Sequence, residues 1–547
     1  MIINKCCDVH VVIREKYGWK AYQSDKVKLW FCGYLDNISI DDMLTRIVHI
    51  VSNNLDNNIV LDWVNNIHGH FSFVIEYNSL VISSVDKICS IPLFFSQINN
   101  SVTISNHAPY LKNKCGLDCS NLDKQAELEI AMSGYTIGSK TLYAGIDRLE
   151  SGECLIHYKD LLYRERYYSY SPWKTVAKSK EQLQNDFSDV CLTIFKRIKN
   201  SIGDRQIAIP LSAGNDSRLI ASGLKEVGVK NVICFSYGRK GNFETPISKS
   251  IANKLGYKWI YIEDRIKHKR HFFQSKIYRE YVDAFKSFSY TPNVQEVYEV
   301  FLLQKTNLVD DEAIIINGSC GDFISGGHIR PTSDVKNALN TVDEISWSKF
   351  LDKHYSLWED LRSPDNDARI IAELNKVLMS RITKSVNYDK YHYAMMESIE
   401  YIGRQSKIVI GQQRTYEYFG YEGRMPLWSD EMLSFWESVP YEYKIDQRLY
   451  LETLRKNNWG DVWLDIKVND KIIYPIALRW LRILLKILYI PVGKTKWHRF
   501  EKNVLEYFIH PSCALTVTSY LNILFDRRGH RGASSWLSRQ MIQSKKE

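Results

Sequence analysis

Long blocks of one charge are missing from this chain. Its 72 Lys and Arg against 63 Asp and Glu leave a formal charge of +9 over 547 residues, with the basic residues scattered. That balance admits anionic ligands such as nucleotides and gives no argument for nucleic acid. Metal-type cysteine spacing is missing too. The eleven cysteines, an odd number, include no CxxC pair, and Cys115 and Cys119 stand four apart without a partner cluster. This argues against a zinc module or a disulfide framework and fits thiols kept reduced in the cytoplasm. The opening MIINKCCDVHVV lacks the apolar core of a signal peptide. No uninterrupted apolar run reaches the length of a bilayer span: the most apolar stretch, Ile472–Val492, carries Arg479, Arg482 and Lys486. Those spacings place one basic stripe on an otherwise apolar helix, which argues against insertion. A helix packed on its neighbours is the simpler expectation, with a weak membrane-surface contact left open. Repeats and low-complexity segments are absent.

What is present centres on Ile207–Leu219, IAIPLSAGNDSRL. An apolar β-prone run ends in a loop of small residues, and a segment with helical spacing follows. A strand that feeds a short loop at a helix N-terminus presents backbone N–H groups and a positive dipole end to an anion. Ala213 and Gly214 allow close approach, Ser212 and Ser217 add hydroxyls, and Asp216 offers a hard oxygen to Mg²⁺. No Lys-Ser/Thr follows the glycine, so this is not a Walker loop. It resembles the pyrophosphate loop, SGGxDS, of the ATP pyrophosphatases, with Ala213 in place of the first glycine; a plain strand–turn–helix is the simpler alternative.

Residues 1–175 read as short β runs, among them Val27–Cys32, Phe71–Ile75 and Leu80–Val85. Tyr167–Lys180 is polar and turn-rich, a linker by composition. From Glu181 strands alternate with helices, which predicts a parallel sheet with ligands at the carboxyl ends of its strands. Residues from Trp347 onward read as helical. The expected architecture is α/β: an N-terminal antiparallel β-sandwich over 1–175, a parallel-sheet α/β domain over 181–460, and a helical C-terminal extension over 461–547.

Several short pieces in the first part, Gly33–Asn37, Gly69–Ile75, Asp86-Lys87 with Pro92–Phe95, and Ser151-Gly152-Glu153, resemble in order and spacing the N-terminal domain of asparagine synthetase, a class II glutamine amidotransferase (Ntn-like) fold. Four later motifs resemble that family's C-terminal ATP-pyrophosphatase domain. They are Ser212–Ser217, Phe235–Gly238 with Glu244, Asn317–Asp322 (compare SGEGSD), and Tyr421–Leu427 (compare ExRxPF). The tail resembles that of asparagine synthetase-like proteins found with bacterial polysaccharide genes. The resemblance implies an AMP-forming ligase that uses ATP and Mg²⁺ to activate a carboxylate as its acyl-adenylate, with ammonia or an amine completing the amide. A sugar acid is one carboxylate that fits the tail. Intramolecular closure, as in β-lactam synthetases or lasso-peptide cyclases, and a degenerate nucleotide-binding protein are the alternatives.

The same resemblance assigns residues. Leu211, Ser212, Ala213, Gly214, Asn215, Asp216, Ser217, Phe235, Ser236, Asn317, Gly318 and Gly321 would hold the nucleotide, and Asp216 with Asp322 the metal. The simpler reading of each Asp is an Asx-turn or helix cap. Glu422, Arg424 and Lys444 are the catalytic candidates, with Lys467 a lesser one; for Glu422 and Arg424 a buried structural pair is the alternative. His328 reads most simply as an exposed loop histidine. Two departures from the family stand out. Ile2 follows Met1 where the family has its catalytic cysteine, and Cys6 and Cys7 lie further in; the expectation is a domain that makes no ammonia, with processing that exposes Cys6 or Cys7 as the alternative. Ser319 occupies the place of the SGEGSD glutamate, and a serine is no base near neutral pH. Carboxylate, amine and a homodimeric second copy complete the expected partners.

Overall fold

The computed structural model describes residues 2–5, 8–24, 26–52, 56–98, 100–329, 344–382, 392–411, 413–466, 476–505 and 517–543. Cys6, Cys7 and Lys467 lie outside the described residues.

The N-terminal part stacks two sheets. The larger has seven strands in the spatial order Ile2–Lys5, Leu161–Arg166, Glu153–Tyr158, Leu80–Val85, Gly69–Tyr77, Val27–Leu35 and Lys20–Ser24, every pair antiparallel. Period-2 alternation divides its residues between two cores. Leu29, Phe31, Phe73 and Ile75 face the helices Ile40–Ser52 and Asn57–Asn65, while Trp30, Cys32 and Val74 face the second sheet. That second sheet has four strands, ordered Asp8–Val12, Ser101–Ser105, Phe94–Ile98 and Asp147–Arg148. It is mixed, because Asp8–Val12 runs parallel to Ser101–Ser105.

The second part is a five-stranded parallel sheet. Its spatial order is Lys258–Glu263, Val232–Gly238, Ile207–Pro210, Ile314–Ile316 and Glu422–Arg424. In sequence these are the third, second, first, fourth and fifth strands, so the order reverses between Ile207–Pro210 and Ile314–Ile316. Both faces are covered, which explains why the strands read as continuous apolar runs. Ile207, Ile209 and Ile314 pack under the helices Lys180–Ile202, Asn215–Glu226 and Glu244–Leu255. Ala208, Phe235 and Ile315 pack against the opposite layer, which includes the helices Ile266–Phe273, Lys276–Ala284 and Val297–Lys305.

Three expectations change. The fifth strand, Glu422–Arg424, falls where only helix is expected. Three residues carry no periodicity, and register with Ile314–Ile316 creates the strand. Tyr167–Lys180 is no solvated linker along its length: Tyr170 and Ser171 are buried, and Tyr168 Oη and Ser171 N donate to Glu437 Oε1 at 3.0 and 2.5 Å. The helix Ile476–Leu488 does not sink its apolar residues among neighbours, for Trp480, Leu484 and Leu488 are exposed.

The two parts are joined through a π-helical segment, Tyr401–Val409, that follows directly on the helix His392–Glu400. Tyr401 stacks on Tyr170 with centroids 4.6 Å apart and donates its hydroxyl to the carbonyl of Lys87. Arg148 Nη2 donates to the Ser406 carbonyl at 2.8 Å, and Lys407 Nζ to the Gly138 carbonyl at 2.7 Å. Burial and the neighbouring Arg148 charge push the Lys407 ammonium down to about 7.

Candidate active site

A parallel sheet opens a crevice at its carboxyl edge where the strand order reverses. Two loops enter it here, Leu211–Gly214 after Ile207–Pro210 and Asn317–Cys320 after Ile314–Ile316. The first is tied to itself. Ser212 N donates to Ser217 Oγ and Gly214 N to Ser212 Oγ, each at 3.1 Å. Gly214 then starts the 12-residue helix Asn215–Glu226 with no side-chain cap, an arrangement that in general leaves first-turn N–H groups for an anion. Arg218, buried one turn on, donates to the carbonyls of Val462 and Ile466 and anchors the helix to the start of the C-terminal extension.

Glycine lets the second loop reach the first. A Cβ on Gly318 would lie 2.5 Å from the carbonyl carbon of Asp216 and 2.6 Å from Ser217 N. A Cβ on Gly321 would lie 2.5 Å from Asp216 Cγ. Asp216 is thus placed at the junction. Its Oδ2 accepts from Asp322 N at 2.9 Å and its Oδ1 from Tyr450 Oη at 2.9 Å. Burial and the charge of Asp322 push the Asp216 carboxyl up to about 7. A carboxyl pair of this kind, one member raised by the other's charge, fits a divalent cation, whose charge would reverse that shift. Among the described residues no cluster of three or more His, Cys, Asp or Glu forms a complete metal cage. Two carboxylates completed by phosphate oxygens is the mode Mg²⁺ commonly adopts.

Other assigned residues serve the loops rather than the crevice. Ser236 Oγ donates to the Leu211 carbonyl at 2.6 Å, and Leu211 N donates to the Phe235 carbonyl at 2.8 Å. The Asn317 side chain donates to Gln413 and to Tyr416 Oη and accepts from Ser319 N. Ser319 Oγ in turn accepts from Gln413 Nε2 at 3.0 Å.

Glu422 and the side chain of Arg424 are turned away from the crevice, while Lys444, whose carbonyl lies against Gly326 in the turn leading to His328, keeps its ammonium on Glu397. Glu422 pairs in register with Ile314, which pairs with Ile207, so it sits at the opposite, amino edge of the sheet. There its oxygens accept from Arg424 Nε at 2.6 Å and Arg205 Nη1 at 2.8 Å. Burial acts to raise the Glu422 carboxyl, and the two guanidinium groups hold it below the usual range. Arg424 also donates to Ser201 Oγ at 2.5 Å and lies over the ring of Tyr34 in the N-terminal part. Lys444 is fully buried, with Nζ 2.8 and 3.1 Å from the oxygens of Glu397, which also accepts from Tyr170 Oη. The alternative of a buried structural pair is the one the geometry supports for Glu422 and Arg424, and it extends to Lys444.

A different cluster borders the metal-type carboxylates, and the sequence reading passed over most of it. His328 is wedged between Glu400 Oε1 at 2.6 Å and Asp322 Oδ2 at 3.3 Å, so it is no exposed loop residue. Glu400 also binds His354 at 3.1 Å, Lys353 at 3.5 Å and Gln405 Nε2 at 3.0 Å. Burial opposes ionisation on both sides of the pair, but the mutual hydrogen bonds dominate. His328 rises to about 9, and Glu400 falls well below the ordinary carboxylate value. Glu400 directly precedes the π-helical segment, a geometry often found at functional sites. No periodicity in EYIGRQ announces it; the Gly326-Gly327-His328 turn is the one legible signal.

Residues 199–457 match the asparagine synthase family model. No curated protein matches the chain in sequence. Among solved structures, the NH3-dependent NAD synthetase from Campylobacter jejuni is similar at 14% identity, over 39% of this chain and 100% of that one, with a TM-score of 0.21. An allosteric regulatory enzyme of purine biosynthesis is similar at 10% identity, over 45% of this chain and 62% of that one, with a TM-score of 0.19. The glutamine phosphoribosylpyrophosphate amidotransferase from B. subtilis is similar at 9% identity, over 46% and 74%, with a TM-score of 0.16.

Proposed function

We propose, from the premise that residues 199–457 constitute a domain of the asparagine synthase family, that this protein is an ATP-dependent, AMP-forming amide ligase. The observation that carries the reading is the meeting of two loops about one hundred residues apart at the reversal of the strand order, with Asp216 hydrogen-bonded to Asp322 N. ATP is a substrate in this reading. The uncapped start of helix Asn215–Glu226 and the hydroxyls of Ser212 and Ser217 bind its phosphates. Asp216 and Asp322 would hold Mg²⁺, which when bound neutralises charge on the phosphate oxygens.

A substrate carboxylate attacks the α-phosphorus, the bond to the bridging oxygen breaks, and pyrophosphate leaves. An amine nitrogen then attacks the acyl carbon of the adenylate, loses a proton, and AMP departs. This chain's part in both steps is positioning and electrostatic stabilisation by oriented N–H groups. With Glu422 held by two arginines and Lys444 by Glu397, neither serves the amine. His328, in contact with Asp322 and raised to about 9, stands at the crevice rim as a cation near neutral pH rather than as a base. We further propose a sugar acid as a carboxylate to test, on the resemblance of the tail.

The test is AMP release from Mg-ATP with a panel of carboxylates, uronic acids among them, supplied with ammonium, with glutamine, or with neither. Ammonium-dependent AMP from one acid supports the reading. AMP without added amine points to closure within the substrate. Asp216→Ala is expected to abolish turnover, and unchanged turnover in that variant overturns the metal assignment.

A further inference from the structure

The helix Ile476–Leu488 presents an apolar face that the other described residues do not cover. Leu478, Arg482 and Leu485, spaced four and three residues apart, are its half-buried positions and mark the side turned to the protein. The opposite side is apolar and open: Trp480 is 65% exposed, Leu484 61% and Leu488 68%, with Ile483 and Ile487 between them. The next turn continues the patch, with Ile490 73% exposed. Arg479 and Lys486 run along one flank of this face and are exposed. From Ile476 to Phe500 the chain carries Arg479, Arg482, Lys486, Lys494, Lys496 and Arg499 and no Asp or Glu; Arg482 is paired with Glu501 and Arg499 with Glu359.

We propose that this helix and the turn Ile490–Val492 dock the protein on an anionic lipid surface, lying in the headgroup plane. Three observations select that occupant. A helix of 13 residues spans roughly 20 Å, short of the ~30 Å of a hydrocarbon core, and no described helix is long and apolar enough to cross a membrane. An apolar face with an exposed Trp and a flanking basic stripe suits the boundary between headgroups and acyl chains. Pairing two copies through this face would bring the exposed Arg479 and Lys486 of each copy together, whereas anionic headgroups neutralise them. The docking goes beyond the ligase reading, and its test is independent of it.

The test is flotation of the full chain with phosphatidylcholine vesicles, with and without phosphatidylglycerol. Binding is expected to the anionic vesicles and to weaken in high salt. Arg479→Gln and Lys486→Gln should each lower partitioning roughly fivefold. Leu484→Glu should abolish it while leaving the melting temperature unchanged, because that side chain is exposed. Failure of the full chain to float, equal binding to neutral vesicles, or full binding by Leu484→Glu each overturns the proposal. So does a concentration-dependent dimer that Leu484→Glu breaks in a protein that never floats.

Discussion

At the scale of single residues, charges are held against one another, and the consequences differ in sign. The Asp216 carboxyl is raised to about 7 by burial and by Asp322. A raised carboxyl contributes stability below its unfolded value and loses it as pH climbs through the folded one. Without a cation, Asp216 therefore weakens the fold at pH 8. Asp216→Asn should melt higher than the parent there, by about 1 °C for each kcal/mol recovered in a chain of this length, while releasing no AMP. Calorimetry and an AMP assay on the same preparation check both halves. His328 works in a different window. Raised to about 9 by Asp322 and Glu400 against the effect of burial, it stabilises fully below about pH 6.5 and loses that contribution as pH rises through 9. Urea midpoints measured across that range should fall less in His328→Gln than in the parent. Glu400→Gln removes the one anion shared by His328, His354 and Lys353 and should cost about 3–5 kcal/mol in urea unfolding.

At the scale of elements, close approach is the controlling quantity. A Cβ on Gly223 would lie 2.1 Å from Phe195 Cε2, where helix Asn215–Glu226 meets helix Lys180–Ile202. Gly223→Ala should cost about 1–3 kcal/mol by overpacking and leave the loops in place, so AMP release below the melting range should persist. Gly318→Ala strikes the backbone of Asp216 and Ser217 instead and should eliminate AMP release. The same distinction explains what the sequence made legible. Strand Ile207–Pro210, its loop and the helix after it are local in the chain, and IAIPLSAGNDS announces them; Asn317–Asp322 is announced in the same way. Strand Glu422–Arg424 and the roles of Glu400 and Lys444 depend on partners far along the chain, such as Ile314, His328 and Glu397. Neither propensity nor period encodes such pairings. For Glu422 the motif is readable, but which edge of the sheet it occupies follows from register alone.

At the scale of the whole molecule, the π-helical segment ties the two parts together through its bonds to Lys87, Gly138 and Arg148. Arg148, buried and donating to the carbonyls of Cys89 and Ser406, is a rivet of that joint. Arg148→Ala leaves a buried carbonyl unpaired, worth about 1–3 kcal/mol, and should broaden or split a single calorimetric transition.

The strand order has a further consequence for how the molecule comes into being. Ile207–Pro210 ends up in the middle of its sheet, yet one of its neighbours, Ile314–Ile316, is made about one hundred residues later, and that strand's own flank, Glu422–Arg424, later still. A nascent chain that has emerged only through its first three parallel strands carries the loop Leu211–Gly214, the proposed phosphate site, with half a pocket and an uncovered apolar edge. Nucleotide has little to hold on such a chain, so ATP would shield only molecules whose synthesis has passed the fifth strand, and fragments stalled earlier would be left open to proteases.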